Sequence, residues 1–388
     1  MDAAVAGHAG GPGLWGAAVL TVILCALLLR RFATWRVAVA AAAAKGLAAA
    51  AYFQWFYDGS WTVLDDQAYF RHGRILLDAG FNPVSALVQR KGITTLLLLS
   101  EGPHILYSWF NLAAQWTLGQ AYWAPVFGNV VLTCVAARLL FAIARRCGAD
   151  DGYARALALF FALQWELVAW SSFLNVKDVM VMTLTLALLA PMLRLTQGFR
   201  WGSLLLAVLA GATFLWIRFY VPLVATLAFA LHMVRWRGLA RWRTVFALLG
   251  VLAVGALTRN QLLGLAGILR LDAANLAFGW LRTLLSPQPW SLQAGYGFLL
   301  VPAVLHFVAF PLLVYGAWAL VRHPGPRRFP FIYAALVLVS VAAYPELQGP
   351  RHRIQLLPVI AWAQFHGAYL LMQAFLEARR ARVPAIPA

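Results

Sequence analysis

The chain has 388 residues, of which 63% are hydrophobic and 11% charged, with a formal net charge of +18 and a mean hydropathy of +0.75. That leaves too little polar surface to cover a water-soluble globule, which excludes a soluble enzyme or binding domain. The excess charge is arginine dispersed between apolar runs and not lined up on one face, which argues against nucleic acid as a partner and for topology and contact with membrane lipids.

Taken in chain order, apolar runs long enough to cross a bilayer fall at roughly 13–29, 37–56, 122–144, 153–170, 179–194, 202–217, 219–234, 244–258, 297–320, 330–345 and 353–375. In lipid each must satisfy its own backbone, so the predicted fold class is all-α: a polytopic transmembrane helical bundle of about 11 spans, forming a single integral membrane domain over 1–388. The shorter apolar stretch 104–118 is expected to be a partly inserted or re-entrant helix.

The arginine groups Arg30/Arg31/Arg36, Arg145/Arg146/Arg155, Arg194/Arg200, Arg235/Arg237/Arg241/Arg243, Arg322/Arg327/Arg328 and Arg379/Arg380/Arg382 come at every second loop. Basic residues are held on the cytoplasmic side, so the C-terminus is expected in the cytoplasm and the N-terminus outside. The opening "MDAAVAGHAGGPG" has no Lys or Arg, which fits an exported end and lacks the charged region of a cleaved signal peptide. Cys25, Cys134 and Cys147 have no metal-like spacing and read as small apolar residues. No GxGxxG, Walker loop or HExxH occurs, so nucleotide chemistry and zinc proteolysis have no support.

The same topology puts the long loops 57–103 and 259–296 outside, together with most of the 13 acidic residues. Loops that long usually carry function. The first holds "WTVLDDQAYFRHGRILLDAG", predicted as a short amphipathic helix at the membrane interface, with Ala68, Ile75, Leu76 and Leu77 as its apolar side and Gly80 as its end. Thr62 and Asp65 have the spacing of a capping box, so a structural role for Asp65 stands beside a catalytic one; Asp66 is left unexplained by the cap.

Further along, "WSSFLNVKD" puts Lys177 and Asp178 at the membrane edge, "IRFY" puts Arg218 outside against the positive-inside bias, and "YPELQGPRHRIQLLP" puts Glu346, Arg351, His352 and Arg353 at the mouth of the last span. Guanidinium groups there suit a phosphate or diphosphate headgroup. Lys45 is expected to line a lipid pocket or to snorkel, and Gln164 and Glu166 to pack inside the bundle. The histidines, His104 among them, are scattered, as structural ones usually are.

A carboxylate pair facing outer arginines can bind a lipid-linked phosphate and activate an acceptor hydroxyl, with inversion at a sugar C1. On these residues the chain resembles the C-type (GT-C) glycosyltransferases, polytopic enzymes that use polyprenyl-phosphate sugars. Asp65-Asp66-Gln67-Ala68-Tyr69 is similar to the D-[DE]-x-x-[YF] of their first outer loop, and "EGPHILYSWFNLAAQWTLG" to the stretch before their next span. "WSSFLNVKD", "RFY" and "PRHRIQLLP" look like pieces of the family's bacterial envelope members.

The resemblance implies Asp65 as catalytic base with Asp66 positioning it, the acceptor or a metal. It implies Arg351, Arg353, Arg218 and Lys177 as donor-phosphate ligands, with Tyr69, His104, Asp178 and Glu346 in support. It also implies a polyprenyl-phosphate-linked sugar and a lipid or glycan acceptor as partners, a bacterial inner-membrane location, and a divalent cation (Mg or Mn) in some relatives. The sequence departs from the family in an extra first span and in lacking a sizeable C-terminal outer domain. Two other readings stay open: an O-antigen-type polymerase or ligase, which does not need the early aspartates, and a non-enzymatic lipid or solute transporter, which would carry ionisable residues deep in its spans.

Overall fold

A computed structural model describes residues 13–63, 65–102, 104–236, 250–256, 259, 263, 272–322, 325–344 and 348–381. Several expectations lie outside these residues: most of the 244–258 span, most of 259–271 in the second outer loop, Arg237, Arg241, Arg243, Arg382 and Glu346. Among the described residues every regular element is helical and no strand occurs.

The chain begins with α1 (Gly13–Leu29) and α2 (Trp35–Trp55), which pack on each other and on α7 (Trp123–Arg146). Then come α8 (Asp151–Ala162), α9 (Trp165–Phe173), α10 (Lys177–Gln197), α11 (Trp201–Thr213) and α12 (Tyr220–Trp236). The second half holds α13 (Ala273–Leu285), α14 (Leu300–Val308), α15 (Phe310–Arg322), α16 (Arg328–Ala342) and α17 (Leu357–Ala381). Helix α10 lies at the centre, with 78% of its apolar window buried against neighbours on several sides.

Among the described residues, four helices can cross a membrane by length and apolarity, and six stretches can if each of two bent pairs counts as one span. The expectation of about 11 is therefore not confirmed among the described residues. Four of the expected segments correspond to Gly13–Leu29, Trp201–Trp216, Tyr220–Met233 and Arg328–Ala342, apolar helices of 10–17 residues, short of the roughly 20 needed to cross upright.

Two expected spans are broken. The 153–170 run bends by 45° between α8 and α9, where the Gln164 side chain accepts from the Leu167 N–H at 2.8 Å and starts a new helix. The 297–320 run bends by 55° at Ala309, two residues before Pro311 in the first turn of α15. Lys45 neither snorkels nor lines an opening. It is fully buried and its ammonium donates to the Ala162 carbonyl at 3.0 Å, one of the carbonyls that the first break frees. The three cysteines are buried and unbridged, as small apolar residues would be.

The first outer loop is helical: α3 (Asp65–Asp78), α4 (Pro83–Val88) and α5 (Arg90–Leu99), followed by α6 (Ile105–Leu118). These four share a small core of Leu76, Phe81, Ala86, Leu96 and Leu112, separate from the main one. Helix α3 presents only part of the apolar side expected of it: Leu76 is fully buried and Leu77 packs on this small core. Its buried stripe is Asp66, Tyr69, Phe70, Gly73 and Leu76, while Ile75 is 47% exposed. Gly73 allows the close crossing with α6, since a Cβ there would sit 2.9 Å from backbone atoms of Asn111 and Leu112.

Candidate functional site

Four chain segments bring charge to one place: the N-termini of α3 and α10, the turn at Arg218, and the 3₁₀ segment Pro350–Leu356. The centre is Asp178, fully buried. Its Oδ2 accepts from Arg351 Nε at 2.6 Å, and its Oδ1 lies 2.6 Å from Arg218 Nη2. Arg351 reaches on with Nη1 to Asp65 Oδ2 at 2.8 Å. The side chain of Asp65 is 48% exposed, so this carboxylate is the accessible one.

Lys177, next to Asp178, is buried but has no carboxylate within ion-pair distance among the described residues. Its ammonium donates to the Tyr69 hydroxyl at 2.8 Å and to His104 Nε2 at 3.2 Å. Burial, then the cations Lys177 and Arg218, hold the His104 imidazole down to about 4, so that it is the neutral acceptor this contact requires. Burial likewise pushes the Tyr69 phenol up. Around Asp65 and Asp178 stand three basic side chains, Lys177, Arg218 and Arg351.

Asp66 belongs to a different structure. It is fully buried; its Oδ1 accepts from the Thr62 hydroxyl at 2.7 Å and the Val63 N–H at 3.1 Å, and its Oδ2 from the Tyr122 hydroxyl. This corrects the capping expectation: the acid that closes on Thr62 is Asp66, and Asp65 is left facing Arg351. It also bears on a metal shared by the two aspartates. Both Asp66 oxygens are already hydrogen-bonded by protein donors, so the pair does not fit a common cation. Among the described residues no group of three or more His, Cys, Asp or Glu is placed to hold an ion.

Beneath Asp66 runs a buried polar network that the sequence did not single out. Asn175 Nδ2 donates to the Asp66 carbonyl at 3.0 Å and to Asn111 Oδ1 at 2.7 Å; Tyr107 donates to Asn175 Oδ1 at 2.7 Å; Asn129 donates to the Tyr107 hydroxyl at 3.0 Å. The network ties α3, α6 and α7 to the extended residues that lead into Lys177 and Asp178, and so fixes the two halves of the site against each other. Three of its members lie in stretches quoted above, Asn175 in "WSSFLNVKD" and Tyr107 and Asn111 in "EGPHILYSWFNLAAQWTLG", but none was named there as a site residue.

Of the expected phosphate ligands, Arg351, Arg218 and Lys177 meet; Arg353 does not join them. It is fully buried, with Nε and Nη2 on the two Glu166 oxygens at 3.2 and 2.6 Å and Nη1 on the Leu284 carbonyl at 2.6 Å. All three donor groups are used in holding the 3₁₀ segment to α9 and α13, which corrects its expected role. The supporting residues Tyr69, His104 and Asp178 are at the site, and Glu346 lies outside the described residues. Compared with protein-family models, with curated proteins and with solved structures, the chain matches none.

Proposed function

We propose that the chain is a membrane glycosyltransferase that moves a sugar from a polyprenyl-phosphate donor to a lipid or glycan acceptor of a bacterial-type envelope. In this reading the bundle has about eleven spans in the inner membrane, with the N-terminus and the site outside and the C-terminus in the cytoplasm. The arginine-bearing loops support that orientation.

The observation that carries the proposal is one exposed carboxylate, Asp65, held beside a cluster of two arginines and a lysine, Arg351, Arg218 and Lys177. In this reading a phosphodiester binds beside Arg351, Arg218 and Lys177, at the N-terminus of α10 where backbone N–H groups add to the attraction. Asp65 takes the proton of the acceptor hydroxyl as that oxygen bonds to the sugar C1. The bond from C1 to the phosphate oxygen breaks, the electron pair leaves on polyprenyl phosphate, and the cations offset its growing charge. One displacement inverts C1.

The test is complementation of a strain lacking the gene with Asp65→Asn and Arg351→Ala, read by mass spectrometry of envelope glycolipids. Loss of one glycosylated species in both variants is expected. Full rescue by both overturns the mechanism, and an intact product in Asp65→Asn alone would favour a polymerase or ligase.

A further inference from the structure

Arg138 lies inside α7, a helix long and apolar enough to cross a membrane, and not at its end, which is Arg146. It is exposed on the outside of the bundle, and among the described residues it makes no hydrogen bond or ion pair. The N-terminal end of α7 is at the Asp65 side, since Tyr122 just before it donates to Asp66. From Trp123 to Arg138 the helix rises by about 22 Å, at 1.5 Å per residue. That falls short of a hydrocarbon core of roughly 30 Å. A charge at such depth is costly and is normally paired.

Two contacts fix what stands at the same height. Cys25 Sγ lies 3.9 Å from the Val130 carbonyl oxygen, and the Phe32 ring stacks on Phe141 at 5.3 Å. Helices α1 and α7 therefore run side by side in one direction, and α1 ends at Leu29 level with Arg138. Arg30 and Arg31 follow at once, both exposed; Arg30 reaches only the Ala33 carbonyl, at 3.5 Å. No aspartate or glutamate occurs in α1, α2 or α7, and Asp151 beyond the end of α7 is taken by Arg145 at 2.6 Å and Arg155 at 3.6 Å. Three like charges at one height thus lack a carboxylate. Retention of basic residues on the cytoplasmic side accounts for Arg30 and Arg31 in their loop, but not for Arg138 within a helix.

We propose that Arg138, with Arg30 and Arg31, forms a binding site for an anionic phospholipid of the leaflet opposite Asp65, at the junction of α1 and α7. The lipid phosphate meets the guanidinium fork of Arg138, and its negative charge offsets the three cations. A free anion would have to leave water for a hydrocarbon-facing position, whereas a lipid phosphate is held at the edge of the core by its own acyl chains. The site stands apart from the Asp65 cluster and does not depend on the sugar-transfer reading.

The experiment places the full chain in nanodiscs of phosphatidylglycerol and phosphatidylcholine in equal parts and reads the retained lipid by native mass spectrometry. The wild type should keep phosphatidylglycerol about fivefold over phosphatidylcholine, the worth of one arginine near a membrane surface. Arg138→Gln should lose that preference and Arg138→Lys should keep part of it. Arg380→Gln, at an exposed arginine near the end of α17, should leave it unchanged. In phosphatidylcholine alone Arg138→Gln should melt no lower than the wild type, which shows that it is folded. No preference in the wild type, or one that survives in Arg138→Gln, overturns the site. An equal fall in Arg138→Gln and Arg380→Gln overturns it as diffuse attraction, and stabilisation by inorganic phosphate in phosphatidylcholine nanodiscs overturns it in favour of a free anion. Disulfide cross-linking of Arg138→Cys to a second copy would show that protein, not lipid, covers this position.

Discussion

Arg351 joins Asp65 at 2.8 Å across 286 positions of sequence while its Nε stays on the buried Asp178. The exposed acid and an entering phosphate therefore compete for the same guanidinium. Asp65→Asn should abolish transfer and yet bind polyprenyl phosphate more tightly, because one competitor for Arg351 is gone. A half-exposed ion pair is worth about 1 kcal/mol at most, which corresponds to about fivefold in affinity. Binding measured on the purified variant checks this. Weaker binding would mean that Asp65 helps to hold the phosphate, and the assigned division of roles would fall.

The two adjacent aspartates should separate cleanly in stability. Asp66→Ala strips the acceptor from Thr62, Val63 and Tyr122 in a fully buried setting, and should cost about 3 kcal/mol or more. Asp65→Ala touches one partly exposed ion pair and should stay within about 1 kcal/mol. Melting of the two detergent-purified variants decides it; equal losses would put Asp65 into the scaffold with its neighbour.

The difference between these neighbours marks how far the sequence could be read. Asp65, Lys177, Asp178, Arg218 and Arg351 were legible because charge at the end of an apolar run stands out, and such charges find one another. Arg353 has the same local signature as Arg351, but its partner Glu166 lies 187 positions away, and nothing local tells a phosphate ligand from a buried ion pair. Tyr107 and Asn175 lay in quoted stretches but were not singled out, and Asn129 was silent, because uncharged polar residues disturb hydropathy little. The break at Ala309 had a sign in Pro311, whereas the one at Leu163 turns on a glutamine cap inside an apolar run, and so two bent stretches were taken as continuous.

Arg353 and Glu166 should behave as one unit. Removing either partner leaves the other charge buried, so Arg353→Met and Glu166→Leu should each cost about 3–5 kcal/mol, while the double variant should recover much of that loss. Thermal unfolding of the three proteins measures the coupling. Additive losses would show that the two side chains do not depend on each other.

Gly73→Ala tests the crossing of α3 and α6. The added methyl meets backbone of Asn111 and Leu112 at 2.9 Å, which cannot give way as a flexible side chain would. The expected cost is about 1–3 kcal/mol, with a fall in transfer because α3 carries Asp65. Wild-type stability in this variant would show that the helices do not approach so closely.

His104 supplies a dependence on pH whose direction is fixed by its surroundings. Its ring lies against Tyr69 and Lys177, in the field of Arg218, Arg351 and Asp65, and in the folded chain it takes a proton only near 4, against 6.5 for the unperturbed group. Between those values the unfolded chain binds more protons than the folded one. Stability is therefore unaffected by His104 above about pH 6.5 and is lost as the pH falls from there toward 4. The melting temperature of the purified protein should drop between pH 7 and pH 5. His104→Asn, which still offers Lys177 an acceptor but does not titrate, should drop by less over the same interval. An equal drop in both proteins would assign the acid sensitivity to other groups and leave His104 without the buried, cation-facing position described for it.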